Sequence, residues 1–418
     1  SRPISPTTFP STVTEARLTR CRTALTAHSA TADWRPIVTV PPDATIDDDI
    51  DLLAGLILGP ALLGALQPRI DREGLKILAE LTLAIVLFSD AASADLKVLK
   101  VQEGLPLRLL LIGLPLTMLS GWLIGIWLFP QIPSIELAIL ATLLAPTDAA
   151  LGKAVVSNPK VAASVREGLN VESGLNDGIC VPVLLMFLAL LIEEQTRSPV
   201  SLALELLFEE LGIGALIGAT LTFIAWLLQR YAAKHHWQTP MWSQLTLPGL
   251  AVLCFATAQA LGGSGFIAAF VGGLLASYLF TEKKHDLLKA SEEFASLLSV
   301  ITWVVFGALV IPWAWGSFTL NIWLYALLSL TVIRILPVLI SLAGTGFDFE
   351  TRLFIGWFGP RGLASIVFAV MILNYPLQAG RTLVAVAACT VLLSVLLHGL
   401  SANPWVARLA STGSENRP

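Results

Sequence analysis

Residues 172–178 read Glu172-Ser173-Gly174-Leu175-Asn176-Asp177-Gly178, inside an apolar stretch that runs from Val165 to Ile192. At 1.5 Å per residue, that stretch is long enough to cross a bilayer as one helix. Asp177 then falls near mid-span, where insertion scales charge about 2.5–3.5 kcal/mol for an aspartate. A helix turns about 100° per residue, so Ser173 and Asp177 share one stripe, and Glu172 and Asn176 share a second beside it. Two carboxylates, an amide and a hydroxyl in one membrane helix need polar partners or water. The structural reading is a satisfied pair that ties two helices together. The functional reading is an ion or proton site, the default for an ionisable group inside a membrane.

The rest of the chain has the composition of a polytopic membrane protein: 55% hydrophobic, 13% charged, mean hydropathy +0.75. Its 418 residues are ample for a bundle of a dozen spans with short loops. A net charge of −4 and the lack of any basic block argue against a nucleic-acid partner. Cys21, Cys180, Cys254 and Cys389 lie far apart, three of them in apolar segments, so they form neither a disulfide framework nor a metal-ligand spacing. The five histidines, with His235-His236 adjacent in a polar loop, give no metal constellation either. No cofactor is expected.

Residues 1–49 are rich in Thr, Pro, Ser and Ala and hold no apolar run able to span or to act as a signal-peptide core. They read as irregular, ending in the acidic cluster Asp47-Asp48-Asp49-Asp51. Hydropathy then predicts an all-α polytopic membrane domain over residues 50–405 with twelve spans. These are 51–67, 75–92, 105–129, 135–156, 164–192, 205–231, 245–261, 264–281, 292–314, 317–343, 351–373 and 380–400, followed by a tail at 406–418. Lys97, Lys100, Lys153, Lys160, Arg166, Arg230, Lys234, Lys283, Lys284, Lys289 and Arg352 occupy alternate loops, whereas the intervening loops hold only Arg69, Arg72, Arg197 and Arg381. The rich set is therefore read as cytoplasmic, with the C-terminal tail on the same side of a cell membrane.

Two of these spans carry their own interruption. The fourth contains Ala145-Pro146-Thr147-Asp148-Ala149-Ala150-Leu151-Gly152, and the eleventh contains Phe358-Gly359-Pro360-Arg361-Gly362. A proline removes one donor and displaces the carbonyl four residues back, so Pro146 is expected to free Thr142 and Pro360 to free Gly356. Exposed carbonyls beside a carboxylate make a cation site. The fourth span starts outside and the eleventh inside, which makes the two broken helices antiparallel. Interrupted helices in inverted positions point to the binding site of a secondary transporter. Pairing the remaining spans on that symmetry leaves the seventh without a mate, as if the first half lacked its opening helix. A truncated N-terminus or an altered reading frame is the expectation there.

Asn176-Asp177 in mid-helix, Thr147-Asp148 in a broken helix one hairpin earlier, and Gly359-Pro360-Arg361-Gly362 late in the chain resemble the NhaP-type sodium/proton antiporters. This is the electroneutral branch of the monovalent cation:proton antiporters. The resemblance covers about residues 51–405. It implies a thirteen-helix inverted-repeat fold, with core helices at 105–192 and 317–400, dimerisation helices at 51–92 and 245–314, a linker helix at 205–231, and a homodimer. By that similarity Asp177 is the ion- and proton-binding carboxylate, joined by Asp148, Ser173 and the backbone carbonyl of Thr147. Asp90, in Leu87-Phe88-Ser89-Asp90, resembles the acid that approaches the ion from one side. Glu172 and Asn176 resemble a structural group tied to Arg334. Asn176, where an electrogenic relative carries a second aspartate, implies one proton per monovalent cation. Ala149-Ala150 stand where a proline is common in the family, which implies a softer break.

The activity expected is exchange of Na+ or Li+ for H+ without ATP: proton and cation are alternatives at one carboxyl, and the empty charged site crosses poorly. Potassium exchange on the same fold is the nearest alternative. An ion-coupled solute symporter would need organic-substrate contacts that the sequence does not offer. An intramembrane aspartyl protease needs Tyr-Asp and Gly-x-Gly-Asp contexts, and here the contexts are Thr-Asp and Asn-Asp. Arg361 is read as either a counter-charge at the crossing or a neutraliser of freed carbonyls. Glu80 and His398 are read as hydrogen-bonded structural residues, and Gly262-Gly263-Ser264-Gly265 as a tight turn.

Overall fold

The computed structural model describes residues 47–60, 62–65, 72–94, 104–148, 151, 155, 158, 161–196, 200–237, 239, 244–280 and 284–415. Every regular element among them is helical, as a bilayer demands of chains that must satisfy their backbone polar groups within each segment. In chain order they are α1 Asp47–Leu58, α2 Arg72–Ser93, α3 Leu105–Leu128 with a π turn at Leu109–Gly113, α4 Ser134–Leu143, α5 Ala163–Thr196, α6 Val200–Lys234, α7 Thr246–Ala260 and α8 Gly265–Leu279. Then come α9 Lys284–Val305, which continues through a π turn into Ile311–Trp315, α10 Leu320–Leu330, α11 Val332–Ser341, α12 Phe349–Trp357, α13 Leu363–Ile372 and α14 Gly380–Glu415.

By length and composition six helical stretches can cross a membrane: Leu105–Leu128, Ala163–Ile192, Leu207–Lys234, Leu287–Trp315, Leu320–Ser341 and Gly380–Arg408. Shorter apolar helices accompany them, and each of the twelve predicted stretches falls on at least one helix.

The structure corrects several boundaries. Helix α1 begins at Asp47, inside the stretch read as irregular. The remainder of residues 1–49, and with it the expected loss of an opening helix, lies outside the described residues, as do Ala149-Ala150 and, among the residues used for orientation, Arg69, Lys97, Lys100, Lys153, Lys160, Arg197 and Lys283. The fourth span stops being helical after Leu143, before Pro146, because a residue preceding proline is driven out of the α region. Helix α14 runs through Pro404 to Glu415, so the expected tail is largely helix. The tenth span splits at Thr331, whose φ of −113° and ψ of −93° separate α10 from α11. No glycine or proline marks that split. The Thr331 hydroxyl donates to Leu327 O at 2.7 Å, the back-bonding that bends helices.

Helix α2 packs against α7, α8 and α9 on one side and against α5 and α13 on the other. Helices α6, α7 and α8 pack on one another, while α3 and α4 pack together, α4 on α5, and α10 and α13 on α14. Small residues let these backbones approach, in place of the hydrophobic drive that lipid removes. The consequence is that α4, α5, α11 and the α12–α13 break converge, with α2 and α8 closing the far side.

Candidate functional site

The two chain breaks lie against each other. The amide of Asp148 donates to Pro360 O at 2.8 Å, and the Asp148 carboxylate accepts from the amide of Leu363, the first residue of α13, at 2.9 Å. Asp148 thus caps a half-helix that belongs to the other break, where exposed amides favour negative charge. Gly362 permits this approach: a methyl there would overlap the Asp148 carboxyl group.

Arg361 is fully buried and answers the two readings of its role. Its Nη1 donates to Ala145 O at 2.8 Å and Pro146 O at 3.1 Å, and its amide donates to Ser394 Oγ at 2.7 Å. It therefore neutralises freed carbonyls. Those carbonyls differ from the one expected, because Thr142 O still accepts from the Ala145 amide at 3.2 Å as α4 unwinds.

Behind the crossing stands a buried polar group. Arg334 donates from Nη1 and Nη2 to the two carboxylate oxygens of Glu172 at 3.0 and 3.1 Å, and both side chains are about 1% exposed. Asn176 Nδ2 donates to Thr147 Oγ1 at 2.6 Å and to Glu172 Oε1 at 3.3 Å, while the Thr147 hydroxyl donates to Glu172 Oε2 at 3.2 Å. Ser173 Oγ donates to Thr147 O at 2.7 Å. The four residues Glu172, Ser173, Asn176 and Thr147 thereby lock α5 to the first break, and Arg334 locks α11 to α5.

Asp177 is buried, and its Oδ1 has no hydrogen-bond partner among the described residues, as holds also for Asn176 Oδ1, Arg334 Nε and Arg361 Nε and Nη2. The carboxylates of Asp148, Asp90 and Glu172 are near enough for their charges to act on it. Asp90, half-buried near the end of α2, faces α5 at Gly174, where an added Cβ would lie 3.4 Å from the Asp90 Cβ. The ring of Phe270, from α8, packs on the backbone of Gly178, the residue after Asp177, leaving no room for a methyl. Asp177 is thus a buried carboxyl group with an unpartnered oxygen among other carboxylates, the chemistry that alkali ions and protons share.

Other expectations resolve as structural contacts. His398 Nδ1 lies 2.9 Å from Ser394 O and its Nε2 lies 2.8 Å from Trp357 O. In the 262–265 turn, Gly262 has a φ of +78° and Ser264 caps α8 through the Ile267 amide. Sequence reasoning missed Glu136, which is fully buried and accepts from the amides of Gln378 and Ala379 just before α14. It carried the same signal as Glu80, a lone carboxylate near the head of an apolar stretch.

Residues 50–408 match the family described as sodium/hydrogen exchanger, transmembrane. The K(+)/H(+) antiporter NhaP2 of Shewanella sp. (strain ANA-3) is 26% identical over 347 residues, which is 82% of this chain and 59% of that protein. The Na(+)/H(+) antiporter of Schizosaccharomyces pombe is 25% identical over 283 residues, 63% of this chain and 60% of its own length. This chain thus spans about three-fifths of the length of these curated relatives. Among solved structures, the sodium proton antiporter MjNhaP1 from Methanocaldococcus jannaschii aligns with a TM-score of 0.68 at 25% identity, covering 87% of this chain and 92% of that one. The helical arrangement described above is similar to that antiporter's fold.

Proposed function

The chain belongs to the sodium/hydrogen exchanger family, a family of membrane transporters rather than enzymes, and we propose that it exchanges a monovalent cation, Na+ or Li+, for H+. The observation that carries this reading is the buried, unpartnered Oδ1 of Asp177 beside the crossing of two broken helices. A proton satisfies that oxygen, and so does a dehydrated alkali ion completed by Asp148, Ser173, the Thr147 carbonyl and, from one side, Asp90. The two occupants exclude each other. An empty, charged carboxylate is the form least able to move through a low-dielectric barrier, so transport in one direction is tied to transport in the other. No ATP and no bound cofactor enter the cycle.

One carboxyl that takes either one proton or one monovalent cation gives a one-for-one, electroneutral exchange. The amide at 176 fits this count, because it is committed to Thr147 and Glu172 and contributes no second acid. Alternating access would come from α3–α5 and α10–α14 sliding against α1, α2 and α7–α9, with α6 as the linker and a second copy of the chain as the fixed partner. The protein would lie in the plasma membrane with its C-terminus in the cytoplasm. Selectivity for K+ is the second reading, favoured by the NhaP2 relatives named as K(+)/H(+) antiporters.

Reconstitution into proteoliposomes tests both. Wild-type protein is expected to move protons against imposed Na+, Li+ or K+ gradients in an order that defines the cation, and Asp177→Asn is expected to be silent. Proton flux that survives in Asp177→Asn sinks the reading.

A further inference from the structure

A second polar cavity lies away from the crossing. It encloses about 190 Å³ at the face carrying the α5–α6 and α7–α8 connections, which loop charge predicts to be the outer face. Its polar lining is Lys76 and Glu80 from α2, Glu210 from α6, Gln259 from α7, Ser264 at the head of α8, and Asn374 and Tyr375 just after α13. Lys76 Nζ and Glu80 Oε1 are 3.6 Å apart, one turn apart on the same helix. Among the described residues the Glu210 side chain makes no hydrogen bond or ion pair, and its backbone carbonyl accepts from the Ser264 amide at 3.0 Å. Counting one ammonium and two carboxylates, the cavity carries a net charge of −1. Its neutral donors are two side-chain amide oxygens, a serine hydroxyl and a phenol oxygen, hard oxygen ligands of the kind that suit alkali ions. A volume of this size holds several waters, so an ion can enter with part of its shell in place.

The cavity also points at the transport site. Leu185, which lines it, is eight residues beyond Asp177 on α5, about 12 Å along the helix. Phe266, which lines it from α8, lies one turn from Phe270, whose ring covers Gly178. Along both helices the way from this cavity to Asp177 therefore passes the Phe270–Gly178 contact.

We propose that this cavity is a second, weaker monovalent-cation site that loads or receives the transported ion on one face only, with the Glu210 carboxylate as its anionic ligand and the Lys76–Glu80 pair setting its charge. The proposal rests on the exchange reading of Asp177 above. Its size and net charge suit one partly hydrated alkali ion, and the partly wet lining lets the ion leave again.

The test is sided. Membrane vesicles of right-side-out and everted orientation are assayed with Na+ and with K+ for the half-saturating cation concentration of exchange. Glu210→Gln is expected to raise that concentration at least threefold on one face and leave the other face unchanged. Lys76→Gln, which makes the cavity more negative, is expected to lower it on the same face. A change of equal size on both faces, or no change in either variant, overturns the proposal. Asp177→Asn run alongside separates the two levels: activity there breaks the underlying reading, whereas a silent Asp177→Asn with an unmoved Glu210→Gln breaks only this one. If Glu210→Gln is not recovered folded, the opposite-signed Lys76→Gln effect still decides.

Discussion

The carboxylate of Asp148 and the amide of Leu363 meet at 2.9 Å although 215 residues separate them in sequence. A side chain from one broken helix thus completes the N-terminus of a half-helix from the other. Capping is what the geometry shows for this acid, ion binding is what is proposed for it, and substitutions can separate the two.

Asp148→Asn keeps an oxygen that caps well, whereas Asp148→Ala keeps none, a loss of about 0.5–2 kcal/mol for a cap. Thermal unfolding in detergent is expected to be lowered for the alanine variant and nearly unchanged for the asparagine one. Transport is expected to fail in both. An asparagine variant with wild-type cation affinity would confine Asp148 to capping.

Glu172 and Arg334 are buried and bidentate. Removing either charge strands the other in low dielectric, at about 3–5 kcal/mol. Glu172→Gln and Arg334→Met are each expected to lower the melting temperature steeply, and the double variant to recover part of the loss. Additive losses would mean that the pair is not an energetic unit.

Gly178 and Phe270 set the spacing of α5 and α8. Gly178→Ala is expected to inhibit exchange because the methyl collides with the ring, and adding Phe270→Ala is expected to restore it. Failure of the second change to rescue the first would show that Gly178 matters for some reason other than this contact.

Competition at Asp177 has a pH signature. Where the unoccupied site is protonated, raising the pH by one unit removes nine-tenths of the competing protons. The half-saturating cation concentration should then fall about tenfold per unit. A pH-independent affinity over pH 5–8, measured by proton flux in liposomes, would rule out a shared site.

Asp348 caps α12 outside the membrane-spanning part. Its carboxylate accepts from the Thr351 hydroxyl and from the amides of Glu350 and Thr351 at 3.1 and 3.3 Å. The Thr351 hydroxyl bond, followed by these amide bonds, holds its carboxyl below the usual carboxylate range despite partial burial. A lowered folded-state value means that the contribution is present above the unfolded value and is lost as pH falls through the folded one. Asp348→Ala is accordingly expected to cost about 1 kcal/mol at pH 7, and the difference from wild type should fade only in acid below the ordinary carboxylate range. A difference that persists unchanged there would assign the effect to something other than the ionised cap.

The sequence by itself determined the solvent and the suspects. A bilayer makes polarity a local property, so a run of apolar residues is legible as a helix, and Glu172, Asn176, Asp177, Thr147 and Asp148 stand out because each is expensive where it sits. Pro146 and Pro360 announced the two breaks for an equally local reason, the missing amide donor. Tertiary structure decided who answers whom. That Arg361 serves Ala145 and Pro146, that Asp148 caps α13, and that Glu136 caps α14 are relations across some 215–243 residues, and no periodicity encodes them. The split at Thr331 was silent because a threonine bends a helix only when its hydroxyl turns back on the preceding turn. Above all, sequence could place Asp177 in a membrane but not leave its Oδ1 without a partner. That depended on Arg334 and Leu363 arriving from elsewhere in the chain to bind Glu172 and Asp148, while no described residue reaches Asp177 Oδ1.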